Sequence, residues 1–342
     1  MPETLSEPVR RPGFFGRDKN FTRLLAIFVL VFIGCAILKP DLFLKASNFQ
    51  SMAKQFPEFG LLSIGVALTM LTGGIDLSVV NIGNLAAVLA ARVMISFAPK
   101  GSSPEQTLTV VVAAMVLALF VGALCGAVNG LLVSKIGIPA ILATLGTQQL
   151  FMGLAIVVTS GRPISGLPMI YARYGNRNIF GAVPVVLAVF AVSALIVGVL
   201  LSRTRFGAKL YMLGSNATAA RFAGINVDRL YVLAYMLSGL LAAVAGLIMM
   251  ARSNSAKADY GISYTMQSIL IAVLGGVSPN GGRGNVQGVV AAVLILQLLS
   301  SVLNMFENIS NFYRDILWGI VMIGVLIINY LINVRDLRRQ SQ

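Results

Sequence analysis

Asp76 is an isolated acidic residue in an apolar stretch, and its position could support chemistry. It follows the pair Gly73-Gly74 in "TMLTGGIDLSVVNIGN", residues 69–84. Glycines allow the backbone to turn sharply, so the pair predicts a break in an apolar helix. A carboxylate at such a break has two interpretations. It caps the helix that starts after the break, or it serves as a gate or a contact for a passing solute.

The rest of the sequence excludes several kinds of catalytic site. It contains no histidine, which excludes His-based zinc sites and Ser-His-Asp chemistry. The two cysteines, Cys35 and Cys125, lie in apolar runs, where they are predicted to be small buried hydrophobes. No Gly-x-x-x-x-Gly-Lys-Ser/Thr phosphate loop occurs, so the chain is not itself the energy-transducing NTPase. We therefore predict a protein that is not an enzyme and holds no cofactor or metal.

A second candidate is the segment "NATAARFAGINVD", residues 216–228, in the longest basic stretch of the chain. Asn216 is a typical cap for the start of a helix, and Gly224 is a typical end. The short helix between them would present a small surface open to close approach. Its residues are Ala219, Ala220 and Gly224, flanked by Arg221, Phe222 and Asp228. Two roles remain open: docking of a partner, and packing on the chain's own helices.

The composition identifies the elements that position these residues. The 342 residues have a mean hydropathy of +0.86, and 57% are hydrophobic while only 11% are charged. Soluble domains are about 25% charged. Apolar runs of about 20 residues, each long enough to cross a bilayer, recur along the chain. The fold class predicted is an all-α polytopic membrane protein with about ten transmembrane helices, two of them interrupted by glycines.

One transmembrane domain, 24–334, is predicted between a tail at 1–23 and a tail at 335–342. The first apolar run has no signal-peptide cleavage site after it, so it is predicted to be retained. The connector 39–56 is polar and amphipathic, which suggests a short helix at the membrane interface. The predicted spans cover about 24–38, 58–71, 79–97, 108–133, 139–159, 183–201, 230–250, 263–274, 286–303 and 316–334.

The net charge of +14 is spread over short loops, which favours membrane orientation over nucleic-acid binding. When both termini are placed in the cytoplasm, most of the 26 lysine and arginine residues fall in cytoplasmic segments. The positive-inside rule then also places the basic loop 203–229 in the cytoplasm.

The segment "GGVSPNGGRGN", residues 275–285, resembles the first break. Each begins with a glycine pair, here Gly275-Gly276, and each is followed by Gly-Asn and an Ala/Val-rich helix. Paired glycine-interrupted segments are typical of an internal repeat around a translocation pathway. Amides on apolar faces, such as Gln148 and Gln267, either form interhelical hydrogen bonds or line a path for a neutral, hydroxyl-rich solute.

Several motifs together resemble one known family. They are "GGIDLSV" (73–79), "IPAILATLGT" (138–147), "SRTRFG" (202–207), "GSNATAARFAGINV" (214–227), "YMLSGLLAAVAG" (235–246) and "LGGVSPNGGRGN" (274–285). In this order they resemble the permease subunits of bacterial ATP-binding-cassette (ABC) sugar importers, in the branch of ribose, xylose, galactose and autoinducer-2 permeases. The resemblance covers nearly all of the chain from about residue 55 onward.

The resemblance implies a setting in the bacterial inner membrane. Such a permease has about ten spans and pairs with a second copy or with a homologous permease. Two cytoplasmic ATPase subunits bind the ATP and magnesium, and a periplasmic sugar-binding protein delivers the solute. No nucleic acid is implied.

The resemblance also implies a coupling role for the loop helix. Thr218, Ala219, Ala220, Arg221, Phe222 and Gly224 are similar to the importer EAA-x3-G coupling motif. Thr218 stands where a glutamate is usual, so the acidic contact to the ATPase is in doubt. Val79-Val80 also stands where Val-Gly is usual. The alternative function is a stand-alone secondary carrier or channel for a small neutral solute, and the sequence identifies neither the solute nor the paired permease.

Overall fold

A computed structural model of the chain describes residues 19–99, 101–179, 181 and 183–306, together with 316, 319, 320, 323, 324 and 327. Thirteen α-helices form in the described part. They are α1 (Lys19–Leu38), α2 (Pro40–Phe43), α3 (Ala46–Leu71), α4 (Val79–Phe97), α5 (Pro104–Leu131), α6 (Ala140–Thr159), α7 (Met169–Asn176), α8 (Val185–Arg203), α9 (Arg205–Ser215), α10 (Ala217–Phe222), α11 (Val227–Ser253), α12 (Tyr264–Leu274) and α13 (Val286–Leu303).

Four two-residue strands accompany the helices: β1 (Ile164–Ser165), β2 (Asn178–Ile179), β3 (Val183–Pro184) and β4 (Ser255–Ala256). β1 pairs antiparallel with β4, and β2 pairs antiparallel with β3. A π-helical turn, Leu132–Ile136, extends α5. The predicted all-α fold class is confirmed.

Seven helices of the described part are long and apolar enough to cross a membrane: α1, α4, α5 with its π-turn, α6, α8, α11 and α13. Helix α3 has 26 residues but a polar first half, and α12 is apolar but has only 11 residues. The last predicted span, 316–334, falls mostly outside the described residues; the six described positions within it are helical. The prediction of about ten spans is thus an approximate count.

Helix α3 corrects the prediction for the connector. It begins at Ala46, so most of the segment expected to lie at the interface belongs to the same helix as the second predicted span. The helix continues through Pro57, which lacks one backbone donor and costs one helical hydrogen bond. Phe56 and Phe59 on either side are buried, and their packing holds the helix together across that position.

Helix α11 lies at the centre of the bundle, because α3, α4 and α5 all pack on it. Its contact with α5 uses the glycines Gly122, Gly126 and Gly130, each of which faces the α11 backbone. A Cβ atom at Gly126 would overlap the carbonyl oxygen of Tyr235. Small residues at this spacing let two membrane helices approach closely.

The two ends of α11 define the two ends of the bundle. The short helix α10 precedes α11 in the chain and β4 follows it. The 27 residues of α11 span about 40 Å. At the β4 end, the Asn84 amide donates to the carbonyl oxygens of Ala258 and Tyr260, at 3.0 and 2.9 Å. At the same end, Arg252 forms an ion pair with Glu58, whose side chain is 1% exposed.

Candidate functional site

The first helix break lies where the glycine pair predicts it. Helix α3 ends at Leu71, and α4 begins at Val79. Gly73 has a φ of 84°, a left-handed conformation that favours glycine. Gly74 is required by a close approach, since a Cβ atom there would overlap the Tyr235 hydroxyl.

Asp76 lies inside this break and is fully buried. Its Oδ1 accepts hydrogen bonds from the Ser78 amide at 2.9 Å and the Ser78 hydroxyl at 2.7 Å. Its Oδ2 accepts one from the Ser238 hydroxyl on α11 at 3.4 Å. The Asn129 amide on α5 donates to the Ser78 hydroxyl at 2.7 Å. One carboxylate thus joins the break to α5 and α11.

The predicted helix cap takes a different form. No side chain accepts from the free amides in the first turn of α4. Asp76 instead binds the amide of Ser78, two residues along, as in an Asx turn. The carboxylate fixes the loop before the helix rather than the helix end itself. The Tyr235 hydroxyl and Asn129 Oδ1 are buried without a hydrogen-bond partner among the described residues.

Gln148 and Gln267, the two amides predicted to line a path, lie on different helices. Gln148 is half-buried on α6. Its backbone carbonyl oxygen, rather than its side chain, accepts a hydrogen bond from the Asn81 side-chain amide of α4 at 2.8 Å. Gln267 is 8% exposed on α12, which packs on α3. The break itself is linked to α6 by the Thr144 hydroxyl, which donates to the Ile75 carbonyl oxygen at 3.1 Å.

The second break is longer and has its own hydrogen bonds. Helix α12 ends at Leu274, directly before Gly275-Gly276, and α13 begins at Val286. The Ser278 amide donates to the Arg283 carbonyl oxygen at 2.9 Å. Asn285 caps α13, because its Oδ1 accepts from the Gly288 amide at 2.6 Å. Left-handed conformations occur at Gly276, Gly281, Gly282 and Gly284.

The two breaks contact each other directly. The Gly282 amide donates to the Leu71 carbonyl oxygen, the last in α3, at 3.0 Å. A Cβ atom at Gly73 would lie 3.5 Å from the Asn280 carbonyl oxygen, and one at Gly281 would lie 2.8 Å from the Gly73 amide nitrogen. The sequence pattern pairs the two breaks but does not predict this contact, because no local signal encodes it.

Helix α9 also packs against the point where the two breaks meet. The sequence does not reveal this contact either. A Cβ atom at Gly214 would overlap both the Leu71 carbonyl oxygen and the Gly282 amide. The Tyr211 hydroxyl donates to the Gly284 carbonyl oxygen at 2.8 Å. Burial raises the pKa of Tyr211 to about 12, so the phenol stays protonated and keeps donating at physiological pH.

Helix α10 has the predicted limits. The Asn216 Oδ1 accepts from the Ala219 amide at 2.9 Å, and Gly224 adopts a φ of 75° after the helix. Phe222 is 88% exposed, an unusual exposure for an aromatic residue, whereas Ala220 is 4% exposed and packs inward. Arg221 pairs with Asp228 of the same chain at 3.3 Å.

The exposed face of α10 is therefore narrower than the sequence motif. Of the motif residues in α10, Thr218, Ala219, Arg221 and Phe222 are exposed but Ala220 is not, and the exposed Gly224 follows the helix. A Cβ atom at Gly224 would meet nothing within 4 Å of this chain. Glycine is favoured at position 224 by its positive φ, and not by close packing against another part of the chain.

No cluster of three or more His, Cys, Asp or Glu side chains that could hold a metal ion occurs in the described part of the chain. Both cysteines are free and buried, as predicted. Broken helices joined at one end of an apolar bundle, beside a short exposed helix, are typical of a polytopic transport protein.

The chain belongs to a family described as "Branched-chain amino acid transport system / permease component", whose model matches residues 48–326. It is a permease subunit of an ABC importer and a multi-pass protein of the inner membrane, as the motif resemblance implies. Permeases of this class act with ATPase and binding-protein partners.

Three relatives illustrate the range of the family. The ribose import permease protein of Bacillus subtilis is 37% identical over 95% of this chain and 97% of its own length. The L-arabinose transport system permease protein of Escherichia coli is 33% identical over 92% and 91%. The autoinducer 2 import system permease protein of Enterobacter is 35% identical over 90% and 85%. A solved inward-facing metal-chelate type ABC transporter has a TM-score of 0.47 and 15% identity, covering 90% of this chain and 98% of that chain.

Proposed function

We propose that this permease moves a sugar or sugar-like solute from a periplasmic binding protein into the cytoplasm. The observation that carries the proposal is the similarity, over nine-tenths of the chain, to permeases named for ribose and L-arabinose. The buried polar side chains support a neutral, hydroxyl-rich solute, because most of them are amides and hydroxyls. Such groups exchange hydrogen bonds with a sugar without requiring charge.

ATP hydrolysis occurs in separate subunits in this proposal. The chain lacks a phosphate loop, and ATP and magnesium are bound by partner ATPases. The permease pairs with a second copy of itself or with a homologous permease in the lipid bilayer, and it binds no nucleic acid.

The ATPase docks on the exposed face of α10 in this proposal. Phe222 is the apolar anchor, since buried aromatic residues often dominate an interface. Arg221 can exchange its pairing with Asp228 for an acidic group of the ATPase, because both partners are accessible. Thr218 and Ala219 add a small surface beside the anchor, and Ala220 seats α10 on its own chain. Gly224 ends the helix.

The proposed orientation places α10, the loop 203–229 and both termini in the cytoplasm. The basic residues of this loop support the orientation by the positive-inside rule. The β4 end of the bundle then faces the periplasm and meets the binding protein.

The solute pathway is proposed to pass Gln148 and Gln267 at the permease pair. Asp76 acts as part of the gate rather than as a wall of the path, because its carboxylate is enclosed by its own chain. The glycine pairs at 73–74 and 275–276 supply the bends at which the gate opens.

Uptake in reconstituted vesicles tests this function. The permease is combined with the ATPase and the secreted binding protein encoded beside its gene, and labelled D-ribose and L-arabinose serve as probes. We expect uptake of at least one sugar that requires ATP, the ATPase and the binding protein together. Uptake by the permease alone would instead support the stand-alone carrier or channel. Failure of both sugars in the full complex would refute a pentose-type solute.

A further inference from the structure

Helix α9 touches both helix breaks at backbone level. Gly214 lies against the Leu71 carbonyl oxygen at the end of α3 and against the Gly282 amide in the second break. These two groups are themselves hydrogen-bonded at 3.0 Å. The three segments therefore meet at a single point, which we name the α9 junction.

The α9 junction has no side chain between its backbones. Any Cβ atom at Gly214 would overlap its neighbours, and a Cβ atom at Gly281 would lie 2.7 Å from the Gly214 carbonyl oxygen. Close-packed groups transmit a displacement instead of absorbing it. A shift of α9 must therefore move the ends of α3 and of the 275–285 loop together.

Tyr211 adds a directional contact to the same junction. Tyr211 lies about one helical turn before Gly214 in α9, and its hydroxyl donates to the Gly284 carbonyl oxygen at 2.8 Å. Gly284 directly precedes Asn285, the residue that caps α13. The hydrogen bond thus connects α9 to the start of the helix after the second break.

A single residue connects the junction to the exposed helix α10. Helix α9 ends at Ser215 and α10 begins at Ala217. Asn216 between them is fixed on both sides. Its backbone amide donates to the Met212 carbonyl oxygen at 3.1 Å, and its side-chain oxygen accepts from the Ala219 backbone amide at 2.9 Å. This doubly bonded link leaves little freedom for α10 to move without α9.

We propose that Tyr211 and Gly214 are positioning residues that transmit movement of α10 to both helix breaks at once. The proposal rests on the proposed function, in which the ATPase moves α10. A single input then acts on the end of α3 and on the loop before α13 simultaneously. Opening of one break without the other is prevented by the shared contact at Leu71 and Gly282.

The test separates transmission from docking and from folding. Tyr211→Phe removes only the hydroxyl that bonds Gly284, and Gly214→Ala introduces the overlapping Cβ. Gly153→Ala is the matched control, since a Cβ atom at that helical glycine meets nothing within 4 Å. Membrane abundance, ATPase co-purification, stimulation of ATP hydrolysis by the sugar-loaded binding protein, and D-ribose or L-arabinose uptake are measured in each variant.

We expect Tyr211→Phe to keep wild-type abundance and ATPase co-purification while uptake per complex falls about fivefold, the factor that one neutral hydrogen bond provides. Gly214→Ala should lower uptake further and abolish stimulation by the binding protein, and Gly153→Ala should match the wild type. Unchanged uptake per complex in Tyr211→Phe would overturn the proposal, even if Gly214→Ala fails to fold. Failure of the wild type to co-purify any ATPase would instead refute the proposed function.

Discussion

A carboxylate with no exposure needs donors, and Asp76 obtains them from two parts of the fold. Two come from Ser78 in its own loop and one from Ser238 on α11, while Asn129 on α5 orients the Ser78 hydroxyl. The sequence indicated an unusual acidic residue at a glycine break. It could not indicate Asn129 and Ser238, because both are distant in sequence and come near Asp76 only through the packing of α5 and α11.

Replacement of Asp76 tests the strength of this network. Asp76→Ala leaves three buried donors without an acceptor, and we expect the free energy of unfolding to fall by about 3 kcal/mol. Asp76→Asn keeps one carbonyl oxygen and should lie between the alanine variant and the wild type. Thermal unfolding of the purified permease in detergent measures the order. An alanine variant as stable as the wild type would show that the network contributes nothing.

The ion pair between Glu58 and Arg252 is the corresponding feature at the β4 end. The Glu58 side chain is 1% exposed and that of Arg252 is 26% exposed. Glu58→Gln removes the negative charge and leaves Arg252 unpaired, which should lower the free energy of unfolding by about 3 kcal/mol. The double variant Glu58→Gln, Arg252→Gln removes both charges and should recover part of the loss. Equal unfolding temperatures in the single variant and the wild type would contradict this expectation.

At the scale of the elements, the residue types near a helix end predict where that helix begins and ends. Asn216 and Gly224 have the residue types of a helix cap and a helix end, and α10 has those limits. The four-residue spacing of Gly122, Gly126 and Gly130 is visible in the sequence and typical of a close helix contact, and these glycines pack on α11. The start of α3 was missed, because Pro57 and the polar residues before it are locally unfavourable in a membrane helix and only tertiary packing retains them.

The role of α9 was missed for a related reason. Its sequence, "RFGAKLYMLGS", reads as part of a basic loop, and nothing in it encodes a contact with residues near 71 and 282. Gly214 is one of 34 glycines, so its need for close approach is visible only when its neighbours are known. Contacts between distant segments are the part of the site that one sequence does not reveal.

Helix α10 provides a prediction at this scale. Phe222→Ala should leave the abundance and unfolding temperature of the permease unchanged, since the side chain is 88% exposed. It should reduce ATPase co-purification about tenfold, as loss of an interface anchor does. Phe97→Ala is the matched control, because Phe97 is also exposed but lies at the β4 end.

Two further variants separate docking from packing in α10. Ala220→Leu should lower abundance, because Ala220 packs inward with 4% exposure. Gly224→Asn should be tolerated better than Gly224→Leu, because asparagine adopts the left-handed conformation more readily than leucine. Co-purification that survives Phe222→Ala intact would locate the ATPase contact elsewhere.

At the scale of the whole molecule, the two broken helix pairs have corresponding arrangements. The pair α3–α4 and the pair α12–α13 each turn at glycines, and the two turns contact each other at the α10 end of the bundle. Both turns thus lie at the same end of α11. This arrangement supports the internal repeat predicted from the glycine pairs, and it places both bends within reach of a single partner bound at that end.

Labelling from outside the cell tests the orientation of the whole bundle. Ser215 ends α9 beside α10, before α11 begins, and Lys257 follows β4, after α11 ends; α11 itself is about 40 Å long. Both residues are exposed, and the native Cys35 and Cys125 are buried, so cysteines introduced at 215 and 257 are the accessible thiols of the described chain. With α10 in the cytoplasm, Lys257→Cys should react with a membrane-impermeant maleimide in intact cells, and Ser215→Cys should react only after the membrane is permeabilised. The wild type without added cysteine controls for background. Reaction of Ser215→Cys in intact cells, together with protection of Lys257→Cys, would invert the bundle and place α10 where no cytoplasmic ATPase can reach it.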